Sequence, residues 1–151
     1  DVPMSLTTLQ ADLLAQSRGG EILLLARIVF GGTLAFMGLN HFMVLETMTG
    51  YAEFKGLPAP RFSVVASGVM LVLCGLGIVA GVYPVVAAGA LAVFLLVSAV
   101  TMHDFWAQDD PEEQQNEMTA FLKNMYGTGA ALAFLVLGGV EWSYAVNLGL
   151  F

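Results

Sequence analysis

EILLLARIVFGGTLAFMGLNH, residues Glu21–His41, is the stretch that decides the fold. From Ile22 to Leu39 only Arg27 is charged, and about 20 mostly apolar residues suffice to cross roughly 30 Å of hydrocarbon. The stretch therefore reads as a transmembrane helix. A charge inside such a helix costs about 3 kcal/mol on insertion scales, so it faces the bundle interior or snorkels to the headgroups. At about 100° per residue, Arg27 and His41 lie within roughly 40° of one face, with Gly31 and Gly38 close to the same stripe. Polar and thin positions thus share one side, the side on which membrane helices pack.

The rest of the chain has the same character. Its 151 residues are 58% hydrophobic and 11% charged, with mean hydropathy +0.79, against about 25% charged in soluble domains. Much of the net charge of −7 falls in one stretch, Asp104 to Glu117, which reads as a solvated acidic loop. Nucleic acid as a partner is disfavoured, because it calls for clustered Lys and Arg. A polybasic lipid anchor is disfavoured for the same reason. Cys74 is the only cysteine, which excludes an intramolecular disulfide, a CxxC pair and a thiolate metal cluster within one chain. It is expected to be a small packing residue. No basic segment feeds an apolar core before Glu21, so no cleavable signal peptide is expected.

Upstream of Glu21, Leu6, Leu9, Leu13 and Leu14 fall at helical spacing after Ser5, a good N-cap. Residues 1–20 are read as an amphipathic N-terminal segment and 21–151 as the transmembrane domain. Downstream, Phe42, Leu45, Met48 and Tyr51 share a helical face, predicting an interfacial helix that Gly56 and the prolines Pro58 and Pro60 end. Three more apolar runs complete four spans at about 22–41, 62–82, 85–102 and 120–140. Gly68, Cys74 and Gly75 thin one face of the second. Trp142 and Tyr144 read as an aromatic belt after the fourth. The predicted fold is an all-α membrane protein, an antiparallel four-transmembrane-helix bundle with a short amphipathic N-terminal helix.

An even number of spans gathers His41, Glu46, Lys55, Arg61, His103, Asp104, Trp106 and Lys123 at one membrane face. Several readings fit this cluster. His41 and His103, on facing helices, are able to ligate haem b. The same histidines with Asp104 and Glu46 supply ligand types suited to zinc or iron, though at no compact spacing. Alternatively, His41, His103, Lys123 or Asn124 hydrogen-bond the head of a lipid-soluble quinone while Trp106, Phe105 or Tyr126 packs its ring. The bland reading makes all of them helix-end anchors that pair with one another. Arg27, nearer the opposite face, is expected to snorkel or to pair with Glu21 or Glu141. A transporter is a further reading of that intramembrane charge, but no broken-helix pair supports it.

Four motifs in order give the chain a family likeness. Arg27, Gly31, Gly38 and His41 lie in span one, and Leu57-Pro58-Ala59-Pro60 precedes span two. His103-Asp104-Phe105-Trp106 follows span three, and Phe121-Leu122-Lys123-Asn124 opens span four. Over about Ile22 to Leu137 the chain resembles the DoxX family of small four-span membrane proteins. It departs from many relatives in span two, where Ala66-Ser67-Gly68-Val69-Met70 replaces a glutamate before a Gly-rich run. The resemblance implies a link to quinol oxidase, thiosulfate:quinone oxidoreductase or membrane thiol-stress complexes. It also implies a multi-pass cell-membrane protein with cytoplasmic termini. The expected cofactor is a quinone, with haem b as the alternative. The candidate cofactor-binding residues are His41, His103, Lys123, Asn124, Trp106 and Arg27. The expected partners are the lipid bilayer and either another membrane subunit or copies of this chain. A non-catalytic accessory subunit packing through its Gly- and Ala-rich faces is the competing function.

Overall fold

The computed structural model describes residues 3, 5–15 and 18–150. Among them there are six α-helices, α1 (Leu6–Ala15), α2 (Gly19–Met43), α3 (Leu45–Phe54), α4 (Pro60–Ala80), α5 (Pro84–Met102) and α6 (Pro111–Leu137), and no strand. The four long helices, α2, α4, α5 and α6, are each long and apolar enough to cross a membrane. The chain is a four-span antiparallel bundle, as its hydropathy predicts. In α1 the Thr8 amide donates to the Ser5 hydroxyl at 3.2 Å, the cap the sequence suggested. Leu6 and Leu9 are exposed. The side chains of Leu13 and Leu14, on which the amphipathic reading also drew, lie outside the described residues, as does Ser17.

Helix starts follow local chemistry. Proline opens α4, α5 and α6, where its missing N–H would have no helical partner and its fixed φ suits the first turn. The largest departure from the sequence reading is in the last helix, at both ends. The fourth long helix begins at Pro111, well inside the acidic stretch, because the Asp110 carboxylate accepts from the Glu113 amide at 3.2 Å and caps it. It ends at Leu137, where Gly138 and Gly139 follow. Hydropathy sees only the apolar part of α6; its polar first turns stand clear of the apolar layer.

The bundle is built from two tight pairs, α2 on α4 and α5 on α6, joined more loosely through α4 and α5. Glycine sets the first pair. A β-carbon at Gly38 would stand 2.6 Å from the Gly68 carbonyl oxygen, and one at Gly75 2.5 Å from that of Gly31. Backbones approach this closely only where no side chain intervenes, the usual device of membrane helix pairs. The Gly68 and Gly75 face is therefore used inside the chain, not offered to a partner. Leu71, Ile78 and Leu91 are fully buried between the pairs, and Phe30 of α2 stacks on Phe134 of α6 at 5.1 Å.

After Gly138 the chain folds back beneath the α4–α5 turn. Asn147 pins this segment, accepting from the Trp142 amide at 2.8 Å and donating to the Trp142 carbonyl at 3.0 Å. Trp142 is not in an interfacial belt: it is 3% exposed, donates its indole N–H to the Leu137 carbonyl and packs on Phe134. Tyr144 is exposed, but its carbonyl, like that of Ser143, is turned to Arg27.

Arg27 is 0% exposed. It neither snorkels nor meets Glu21 or Glu141. Its Nε donates to the Ile78 carbonyl (3.2 Å), Nη2 to those of Val79 (2.5 Å) and Tyr144 (3.0 Å), and Nη1 to that of Ser143 (2.8 Å). The guanidinium also lies 5.0 Å from the Trp142 ring centroid. The last four carbonyls of a helix have no partner within it, and in a membrane none comes from solvent. At the end of α4 each is accounted for. The amides of Gly81 and Val82 take Gly77, Arg27 takes Ile78 and Val79, and the Val146 amide takes Ala80 at 2.8 Å.

Candidate functional site

The loops at the opposite end carry the ionisable cluster. Helix α3 follows α2 after a single break at Val44, and it packs on α4 across this end of the bundle. Its Tyr51 hydroxyl lies 2.6 Å from Glu117 Oε1 and 3.0 Å from the Met102 carbonyl, its one proton facing two acceptors. The second Glu117 oxygen accepts from His103 Nδ1 at 2.9 Å. One carboxylate thus ties α3 to the end of α5 from its seat on α6. Burial pushes the Tyr51 phenol up from its ordinary pKa, and the hydrogen bond and charge of Glu117 push the same way, so it stays a protonated donor. Beside it, Lys55 is ion-paired with Asp104. That hydrogen bond holds the Asp104 carboxyl below the usual carboxylate range, and Gln108 donates to it at 3.2 Å.

Behind this polar rim a groove of about 1020 Å³ runs between α4 and α5. Small-molecule sites occupy about 300–1000 Å³, so it is large for a headgroup alone. Its walls are mainly apolar, from Phe62, Ala66 and Met70 on α4 and Ala90, Val93 and Val97 on α5. The polar groups gather at the loop end: His41, His103, Lys123 and Asn124. His41 Nδ1 lies 2.8 Å from the Met37 carbonyl. A carbonyl only accepts, so Nδ1 carries the proton and Nε2 of the neutral ring is left as an acceptor. His103 Nδ1 is engaged by Glu117 in the same manner.

Asn124 is the unusual member. It is 5% exposed, yet its side-chain amide makes no hydrogen bond among the described residues; only its backbone carbonyl is used, accepting from Thr128 at 2.7 Å. Its amide atoms are not sealed away, since the one enclosed side-chain polar atom without a partner among the described residues is the Thr49 hydroxyl. The Asn124 amide borders the groove, where it can give two donors and an acceptor to a ligand.

The structure therefore brings four of the six candidate residues to one groove and leaves two outside. Trp106 packs edge-on against Phe105 and Phe121 at 5.2 and 5.9 Å, apart from the groove lining. Arg27 is at the other end of the bundle, its donors on carbonyls. The four residues considered as metal ligands are not gathered: Glu46 pairs with Arg61 at 2.5 Å, Asp104 with Lys55 and His103 with Glu117. Among the described residues no three His, Cys, Asp or Glu side chains form a group that could hold a metal ion. Glu117 and the tyrosine latch were not foreseen as part of the site. The signal was there in part, since Tyr51 shares a helical face with Met48, which also lines the groove.

A family model described as DoxX matches residues 22–104, α2 through the end of α5. No curated protein and no solved structure matches the chain.

Proposed function

The chain belongs to the DoxX family, and we propose that it is a quinone-binding subunit of a membrane oxidoreductase. The observation that carries this reading is the Asn124 side-chain amide, without a hydrogen bond among the described residues, lining the same largely apolar groove as two histidines. A quinone head offers carbonyl acceptors when oxidised and hydroxyl donors when reduced. Asn124 serves both forms, because its amide donates through nitrogen and accepts through oxygen. His41 has Nδ1 fixed on the Met37 carbonyl, which leaves Nε2 as the ring nitrogen available to the head. Glu117 orients His103 through Nδ1, and Lys123, which makes no ion pair among the described residues, adds positive charge at the mouth. The bound quinone would supply the two-electron chemistry. With Cys74 as its only thiol, the chain has no dithiol of its own to cycle, so electrons are exchanged with a partner subunit. The reading places the protein in the cell membrane with both termini in the cytoplasm, on the strength of the family likeness.

Native mass spectrometry of the protein, gently extracted from its own membrane, tests this. A mass addition matching a quinone is expected, lost in Asn124→Leu and in the His41→Ala, His103→Ala double variant. A quinone-free chain in stoichiometric complex with a larger membrane protein overturns it and leaves an accessory role.

A further inference from the structure

The groove is much longer than its polar end requires. Its lining runs along α5 from Met102 back to Val86, 16 residues, or about 24 Å of helix. That is most of the roughly 30 Å of a hydrocarbon layer. Beyond the loop end its walls are almost wholly apolar. Its open side is at mid-span: Val93, which lines it, is 64% exposed, and Val97, one turn nearer the loops, is exposed as well. In a bilayer spanned by these helices, such mid-span positions would meet acyl chains. The end toward water is covered, because Met48, Tyr51 and Ala52 of α3 and Leu57 line the groove there, with Tyr51 held by Glu117.

From this shape we infer that the groove is loaded sideways from the bilayer and holds the aliphatic tail of the bound quinone along α5. The inference rests on the quinone reading above and adds the tail and the route. The occupant's head is fixed at Asn124, since this groove-lining amide has no side-chain hydrogen bond among the described residues and is free to bind it. Its tail then has one apolar path, between Ala66 and Met70 on α4 and Ala90, Val93 and Val97 on α5. A ligand arriving from water would have to displace α3 and its Tyr51 and Lys55 links. One arriving from the lipid meets no such barrier. A quinone without a tail gains nothing from these walls.

The test uses two decylbenzoquinone photoprobes in phosphatidylcholine nanodiscs containing the full chain, one with a diazirine on the ring and one with it at the tail end. The ring probe is expected to mark peptides carrying His41, His103 or Asn124. The tail probe is expected to mark Met70, Ala90 or Val93, and that labelling is lost in Val93→Trp and in Ala66→Trp while ring labelling by a tailless benzoquinone probe persists. Both substitutions are at exposed positions, so the fold tolerates them. Ring labelling at the head site with tail labelling spread over all lipid-facing helices overturns the inference and spares the quinone reading. A ring probe that marks no residue of the head site overturns the quinone reading itself, so the two failures are told apart.

Discussion

Arg27 and Lys55 are cations at opposite ends of the bundle, satisfied in different ways. Arg27 is held by four backbone carbonyls and an indole face, with no carboxylate among those partners. Arg27→Gln leaves most of those carbonyls unpaired in an apolar setting, where hydrogen bonds to charged groups are worth about 1.5–3 kcal/mol each. We expect a loss of about 3 kcal/mol or more in detergent unfolding, and a loss under about 1 kcal/mol would refute the capping role. Lys55 relies on Asp104, whose carboxyl is depressed below its ordinary value of 3.8. The sign follows: this link stabilises the fold above that ordinary value and is lost as pH falls through the depressed one. Unfolding midpoints of the parent chain and Asp104→Asn should differ at pH 7 and converge in acid. A gap that does not narrow as the pH falls below that ordinary value contradicts the assignment. The sequence shows that Arg27 is buried or snorkelling but not what it binds, because a backbone carbonyl leaves no mark in a residue pattern. Asn124 is legible as a polar residue at the start of an apolar run, although it lies midway along α6; its lack of a partner is not, since that depends on where the other helices stand.

Among elements, the α2–α4 pair has the least tolerance. Gly38→Ala or Gly75→Ala places a methyl group against a backbone carbonyl, and overpacking of this kind costs about 1–3 kcal/mol. Gly32→Ala is the control, with open space around its β-position; it should be neutral or stabilising by about 0.5–1 kcal/mol. Helix α3 depends on one hydroxyl. Tyr51→Phe removes the bond to Glu117, so amide exchange in α3 should quicken while that in α2 and α4 is unchanged. Equal exchange in α3 would show that its packing on α4 and the Lys55–Asp104 pair hold it without the hydroxyl. Apolar runs disclosed the spans because about 20 residues of hydrocarbon contact leave little room for other patterns. The start of α6 was missed for a related reason: a hydropathy reading stops where polar turns begin. Asp110-Pro111-Glu112-Glu113 was nonetheless a readable start signal, with a capping acid, proline at the first position and an acid at the third.

For the molecule as a whole, the two ends have separate duties. One end carries the polar rim from which the groove runs down the bundle, and the other is a closed knot of α2, α4 and the segment from Gly138 to Leu150. Removing residues 141–150 takes away Trp142 and two carbonyls of the Arg27 site. That deletion should destabilise about as much as Arg27→Gln, and the two together should not add, as expected for groups acting on one network. Full additivity would mean that the tail and Arg27 stabilise the bundle independently. The knot also imposes an order in time. Ile78 and Val79 follow Arg27 by 51 and 52 residues and Ser143 and Tyr144 by 116 and 117, so the first span enters the bilayer with its charge unmet and gains its last two partners only with the final segment. During that interval it must wait at the headgroups or in the insertion machinery. The arginine therefore acts as a marker of completion: only a chain that has delivered its far end can draw its first helix fully into place.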